Sequence, residues 1–296
     1  MSMRFTEIGQ QLRAYRMESG LRAEEIAARL GVSRAALYRY EKGEVIKLDT
    51  IKRLAELLKI SPLSLLGIGV EYYNRPVGYF ERIRQIEETA DQILQLSGAI
   101  CYLTTSEAYD AALTQAFEEA ADDAGPDRLA MRSMAEQVLT ILASRKRMHG
   151  MRRPGIIAMV SLSAVQRVLE TGIAAGIARS DRVRRLCRDV AVTEVDNMAS
   201  LMEAEPMGLQ FGLLIGTEPS SSFKILRARD RVSLAINPFR SDTQPSAQCG
   251  VAMITGADEA IAAHQRVAEA SWREALKGPA GATRLRQLIG AVERVA

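Results

Sequence analysis

Histidine is nearly missing from this chain of 296 residues, which holds only His149 and His264. A zinc cage or a Ser-His-Asp triad therefore has few candidate members. Cysteine is scarce as well. Cys101, Cys187 and Cys249 are widely spaced, none belongs to a Cys-x-x-Cys pair, and their apolar surroundings predict buried free thiols. No metal and no other cofactor is expected. Long apolar runs are also lacking: none approaches the ~20 residues that cross a bilayer, and the opening MSMRFTEIGQQLRAYR has no apolar centre like that of a signal peptide. These absences predict a cytoplasmic protein with no membrane partner.

The usual signatures of catalysis are missing too. There is no Walker loop, no paired-glycine dinucleotide fingerprint and no Gly-x-Ser-x-Gly elbow, and the GIAAG at Gly172 has neither the spacing nor the preceding strand. Carboxylate pairs such as Glu118 and Glu119 fall on polar helix faces, where solvated charge accounts for them. No catalytic constellation remains, so an enzyme is not expected. No internal repeat or low-complexity run is present.

What is there resembles an ordinary globular protein, 47% hydrophobic and 25% charged. Its length suggests two domains. The net charge of +3 hides an uneven split: residues 1–66 carry twelve Lys/Arg against eight Asp/Glu, whereas residues 67–296 carry twenty-seven against twenty-eight. The positive excess lies in the first part, and partners respond to such local charge.

Residues 1–66 show a 3.6-residue periodicity in five short blocks, which predicts a bundle of small helices. In LRAEEIAARLGVSRAALYRYEKG, from Leu21 to Gly43, Gly31 closes the second block, Val32 supplies an apolar plug, and Ser33 can cap a third helix. So tight a turn sends that third helix out at a steep angle. Leu37 and Tyr40 then face inward, leaving Arg34, Ala35, Tyr38 and Arg39 outside. Arginines can grip guanine edges, and a small alanine can touch a thymine methyl.

This stretch resembles the Cro/Xre class of phage-repressor-like helix-turn-helix domains, on the Gly-Val-Ser turn, the Glu-x-Gly that ends the third helix, and LDTIKRLAELLKIS from Leu48. The resemblance implies a five-helix fold over residues 5–66 and double-stranded DNA as the partner. It implies contacts from Arg22, Ser33, Arg34, Ala35, Tyr38, Arg39 and Lys42, and a structural ion pair between Arg16 and Glu41. One departure is that the glutamine many members carry at the start of the second helix is Ala23 here, with Arg22 beside it.

Residues 67–79, GIGVEYYNRPVGY, read as a linker without regular secondary structure; Tyr72, Tyr73, Tyr79 and the adjoining Phe80 either line a contact between domains or chains or are plain core residues. Residues 80–296 alternate helical and strand-like blocks, as a mixed α/β domain does. Helices are predicted near 80–97, 106–123, 128–148, 163–171, 181–203, 257–276 and 280–294. Strands are predicted at AICYLT near Ala99 and at segments beginning at Gly155, Gly208, Ser222, Val232 and Cys249; their continuous hydrophobicity indicates a sheet buried on both faces. The fold class is thus α+β multidomain.

The closing part, from NPFRSD at Asn237 onward, is similar to the effector-binding regions of sugar- or metabolite-sensing regulators, some of which share a phospholipase-D-like fold. Neither histidine opens the His-x-Lys-x-x-x-x-Asp motif that such catalysis requires, so the resemblance implies a non-catalytic unit. Two clusters are candidates for a small-molecule effector. One is SRKRMHGMRRPG from Ser144, represented by Arg147 and Arg152, whose cations lie around a helix end and equally fit a structural role against the negative end of the helix dipole. The other joins Asn237 and Arg240 at a strand end with a wall of Phe211 and Phe239.

Together these readings predict a ligand-responsive, sequence-specific transcriptional regulator that binds a palindromic operator as a homodimer. The alternatives are an antitoxin-like or protein-interaction module that autoregulates its operon, and an enzyme fused to a DNA-binding domain.

Overall fold

The computed structural model describes residues 5–240 and 248–294. Its first five helices are α1 (Phe5–Ser19), α2 (Ala23–Leu30), α3 (Arg34–Glu41), α4 (Leu48–Leu58) and α5 (Pro62–Leu65). Their apolar stripes, including Ile8, Leu12, Ile26, Leu30, Leu37 and Leu54, meet in one core. Gly31 ends α2 at φ 70°, a left-handed conformation that glycine adopts without a Cβ clash. Its N–H reaches the Ala28 carbonyl at 3.2 Å, and that of Val32 reaches Ala27 at 3.0 Å. Ser33 then caps α3, its hydroxyl accepting from the Ala36 N–H at 3.1 Å.

The remainder contains a seven-stranded sheet in the order β1-β7-β6-β5-β2-β3-β4. Its strands are β1 (Val70–Tyr73), β2 (Gln92–Leu96), β3 (Gly155–Ser161), β4 (Leu209–Leu214), β5 (Ser222–Ala228), β6 (Arg231–Asn237) and β7 (Ala252–Thr255). Strands β2, β3 and β4 run parallel, joined by helical crossovers, while the other neighbouring pairs are antiparallel. The helices are α6 (Pro76–Glu87), α7 (Glu107–Asp122), α8 (Arg128–Arg152), α9 (Leu162–Thr171), α10 (Asp181–Ala204), α11 (Asp258–Glu274) and α12 (Gly278–Glu293). Side chains alternate across the sheet. Leu96, Met159, Ile225 and Leu234 face Ala268 and Trp272 of α11, whereas Ile93, Ala158, Phe211 and Leu226 join the larger core on the other face. Both faces are buried, as the continuous apolar runs predict.

Four expectations change. Residues 67–79 are not an irregular linker, because Val70–Tyr73 form the edge strand β1 on β7 and Pro76 opens α6. The helix predicted over 80–97 ends at Glu87 and gives way to β2, and the strand predicted near Ala99 is a single tight turn, Tyr102–Thr104. Cys249 is exposed, whereas Cys101 and Cys187 are buried as expected.

The edge strand matters because it joins the helical bundle to the sheet. Helix α1 packs along α6. Glu18 of α1 accepts from the backbone N–H groups of Asn74 and Arg75 at 2.8 and 3.1 Å, and Arg13 pairs with Glu81 at 2.8 Å. Beneath these, Gln11 donates to the buried Glu71 at 2.9 Å, and Glu71 is itself gripped by Arg82 at 2.8 and 3.0 Å. The Arg82 guanidinium is almost wholly buried, so the carboxylate that balances it is a structural necessity.

Candidate nucleic-acid interface and ligand cavity

The helical period of α3 sorts its side chains. Ala36, Leu37 and Glu41 turn inward, and Arg34, Ala35, Tyr38 and Arg39 are exposed on the opposite side. Ser33 and Lys42, at the two ends of the helix, and Arg22, immediately before α2, are exposed too. All seven proposed DNA contacts are therefore reachable from solvent, although the Ser33 hydroxyl is already engaged as the cap.

The outer arginines are held loosely. Arg34 pairs with Glu24 at 2.8 Å and Arg39 with Glu44 at 3.1 Å, each arginine side chain being 60% exposed. Ion pairs this exposed contribute little and exchange readily for another anion. Arg34 also lies over the Tyr38 ring at 5.3 Å, which braces both side chains on the outer face.

Arg16 and Glu41 form the expected ion pair, Nε to Oε1 at 2.5 Å and a second bond at 3.1 Å. Burial disfavours the Arg16 charge, but the hydrogen bond and charge of Glu41 outweigh it and raise the guanidinium above its ordinary value. The pair clamps α1 to the end of α3. Gly9 permits the close approach, since a Cβ there would sit 2.5 Å from the Tyr40 carbonyl oxygen.

A cavity of about 680 Å³ lies at the carboxyl ends of β2 and β6, between the sheet, α6 and α9. Clefts at strand carboxyl ends are the usual ligand sites of such sheets. Asn237, Phe239 and Arg240 line it. The neighbouring Ser241 and Asp242 of the NPFRSD stretch lie outside the described residues.

The other three candidates are elsewhere. Phe211 of β4 is buried in the main core, away from Phe239's cavity wall. Arg147 points outward from α8, and Arg152 fastens the end of α8 to the Glu88 carbonyl and Asp91. The cavity is instead lined by Arg145 and by Lys224 of β5. Arg145 holds Glu87 through two bonds of 2.8 and 2.9 Å, and Lys224 reaches the same carboxylate at 3.0 Å. Sequence reasoning missed Lys224 and Glu87. The available signal was Lys224's position in SFKILRA, where strand alternation puts it on the same face as the buried Leu226.

Among the described residues no group of three or more His, Cys, Asp or Glu is placed to hold a metal ion, and no helix is long and apolar enough to cross a membrane.

Comparison with known proteins agrees with the first half of this geometry. Residues 7–65 match the family described as a helix-turn-helix domain. No curated protein matches the chain. Among solved structures it is similar to TrmBL2, an archaeal chromatin protein with a novel mode of DNA binding, at 10% identity over 90% of this chain and 93% of that one. The TM-score is 0.32, and a likeness that low carries no structural argument. No comparison supports the phospholipase-D-like resemblance. The chain carries an N-terminal helix-turn-helix domain followed by a mixed α/β region, an organisation that supports DNA-binding transcription regulation.

Proposed function

We propose that this protein is a sequence-specific transcriptional regulator of the Cro/Xre type, which binds a palindromic operator as a homodimer and answers to a small molecule held by its C-terminal domain. The observation that carries the DNA half is the outer face of α3, where Arg34, Ala35, Tyr38 and Arg39 stand exposed over a buried inner face. A helix presented in this way fits the major groove, where paired donors and a small apolar group read base edges. Arg22 and Lys42 flank it as phosphate contacts. One such module makes too few base contacts for useful specificity, and a second copy one helical turn away doubles the site.

The responsive half rests on continuity. Tyr79, Phe80 and Ile83 of α6 line the cavity, while Glu81 of the same helix holds α1. Helix α1 in turn grips the end of α3 through Arg16 and Glu41. A ligand that favours one placement of α6 thereby biases the placement of α3, which is all that coupling between the two sites requires. The C-terminal domain acts here as a sensor without catalysis, in the cytoplasm.

The test is anisotropy titration of the full chain on the DNA upstream of its own coding region, alongside sedimentation. Saturable binding by a dimer, far tighter than to random duplex, is the expected result. Equal, weak binding to both duplexes would overturn the reading. A tightly bound protein partner copurifying in fixed ratio, with no operator preference, would favour the interaction-module alternative.

A further inference from the structure

The cavity is charged in one sense. Among its described lining residues are four cations, Arg145, Arg167, Lys224 and Arg240, and one carboxylate, Glu218. Glu218 lies toward the exposed end, taken up by Arg167 and by the Ser163 hydroxyl. Deeper in, Glu87 does not line the cavity; it sits behind Arg145 and Lys224 and serves both. One buried and one largely buried cation thus share one carboxylate, and the surplus positive charge faces the cavity. Surplus charge in a desolvated site is costly unless something neutralises it. Burial pushes the Lys224 ammonium below its ordinary lysine value despite Glu87, so its charge is not fully compensated by the protein alone.

The rest of the wall is apolar and aromatic. Tyr79, Phe80, Ile100, Val168 and Phe239 surround the charged floor, and the Arg145 guanidinium lies 5.8 Å from both the Phe80 and Tyr102 rings. The volume of about 680 Å³ suits a small organic molecule rather than a bare ion. Arg145 spends two donors on Glu87 and Lys224 spends one, which leaves ammonium donors at Lys224 for an incoming oxyanion.

We infer that this cavity binds a small organic anion, a carboxylate or phosphate on an aromatic or branched apolar body, with its charged group against Lys224 and Arg145 and its body along the Phe80, Val168 and Phe239 walls. The inference rests on the sensor reading proposed above and names the ligand class for that same site.

The experiment uses the full chain and four probes: 3-phenylpropionate, phenyl phosphate, 3-phenylpropionamide and glucose, each followed by thermal shift and calorimetric titration. Either anion should raise the Tm and bind saturably, the two arms telling carboxylate from phosphate, while the amide and the sugar should do neither. Lys224→Met should weaken anion binding about ten-fold or more and leave the Tm of the ligand-free protein unchanged or higher, since the Arg145–Glu87 pair stays balanced. A purely structural Lys224 would instead lower that Tm and leave binding alone, which would overturn the inference. If Lys224→Met fails to fold, Val168→Trp should block anion binding by filling the cavity. Binding of the neutral probes as tightly as the anions, or no anion binding, also overturns it. Anion binding that leaves operator affinity untouched would sink the sensor reading while the ligand class stands; operator release by a neutral probe alone would do the reverse.

Discussion

The ring of Tyr15, on α1, lies over the ring of Tyr73, on β1, with 5.2 Å between centroids and 14° between planes. One residue belongs to the helix-turn-helix domain and the other to the edge of the sheet, so the two parts share a core rather than meeting across a flexible tether. Removing one ring should cost what removing a buried aromatic usually costs. Tyr73→Ala is expected to lower stability by about 3 kcal/mol, measured by denaturant unfolding, and to make proteolysis between residues 66 and 76 faster than in the parent. An unchanged cleavage rate would show that the shared core does not hold the parts together.

The clamp at the end of α3 gives a second expectation. Glu41→Gln leaves the largely buried Arg16 without a charge partner, and breaking such a pair costs about 3 kcal/mol. Hydrogen exchange should then quicken in α3 before it quickens in the sheet. Loss spread evenly over the chain would place the clamp's effect elsewhere.

Acid should act through Glu87. Burial alone would raise this carboxyl, but Arg145 and Lys224 outweigh it and bring the value from 4.5 to about 2. A lowered folded value means that the stabilisation is complete above the ordinary 4.5 and is lost as the pH falls toward about 2. The amount is on the order of 3 kcal/mol. Glu87→Gln should be less stable at neutral pH and show a flatter decline below pH 4.5. Parallel acid limbs for the two proteins would contradict the assignment.

The thiols offer a simple check of the packing. Cys249 is exposed, while Cys101 and Cys187 are buried with their pKa values raised chiefly by that burial. One equivalent should react with a disulfide reagent in the native protein, and three only after unfolding. Two or three fast equivalents would mean that the helices over Cys101 or Cys187 open easily.

How much of this was legible in the sequence follows from how local each cause is. The five N-terminal helices are set by short-range signals, such as Gly31 with Ser33 at the turn, and the ion pair of Arg16 with Glu41 followed from family resemblance. Strand β2 was misread because QILQL continues the helical pattern of α6; only pairing with β3 and β5, distant in sequence, makes it a strand. Strand β1 was missed because Glu71 looks like a surface residue until Arg82 is seen beside it. In the cavity, Asn237, Phe239 and Arg240 were readable as a strand end. Choosing Arg147 over Arg145 failed because two residues along a helix turn a side chain by about 200°, and only the packing of α8 on α6 decides which one faces in.

The central claim is that the outer side of α3 reads duplex DNA. Its most direct test is selection and sequencing of duplexes from a random pool by the full chain, compared with Arg34→Ala, Arg39→Ala and Arg22→Ala. The parent should enrich an inverted repeat. Each α3 variant should lose roughly 1–3 kcal/mol of binding and relax a single position in each half, whereas Arg22→Ala should weaken all sequences alike and flatten the salt dependence. Enrichment of no sequence by the parent, or identical losses on selected and random duplexes for all three variants, would contradict it.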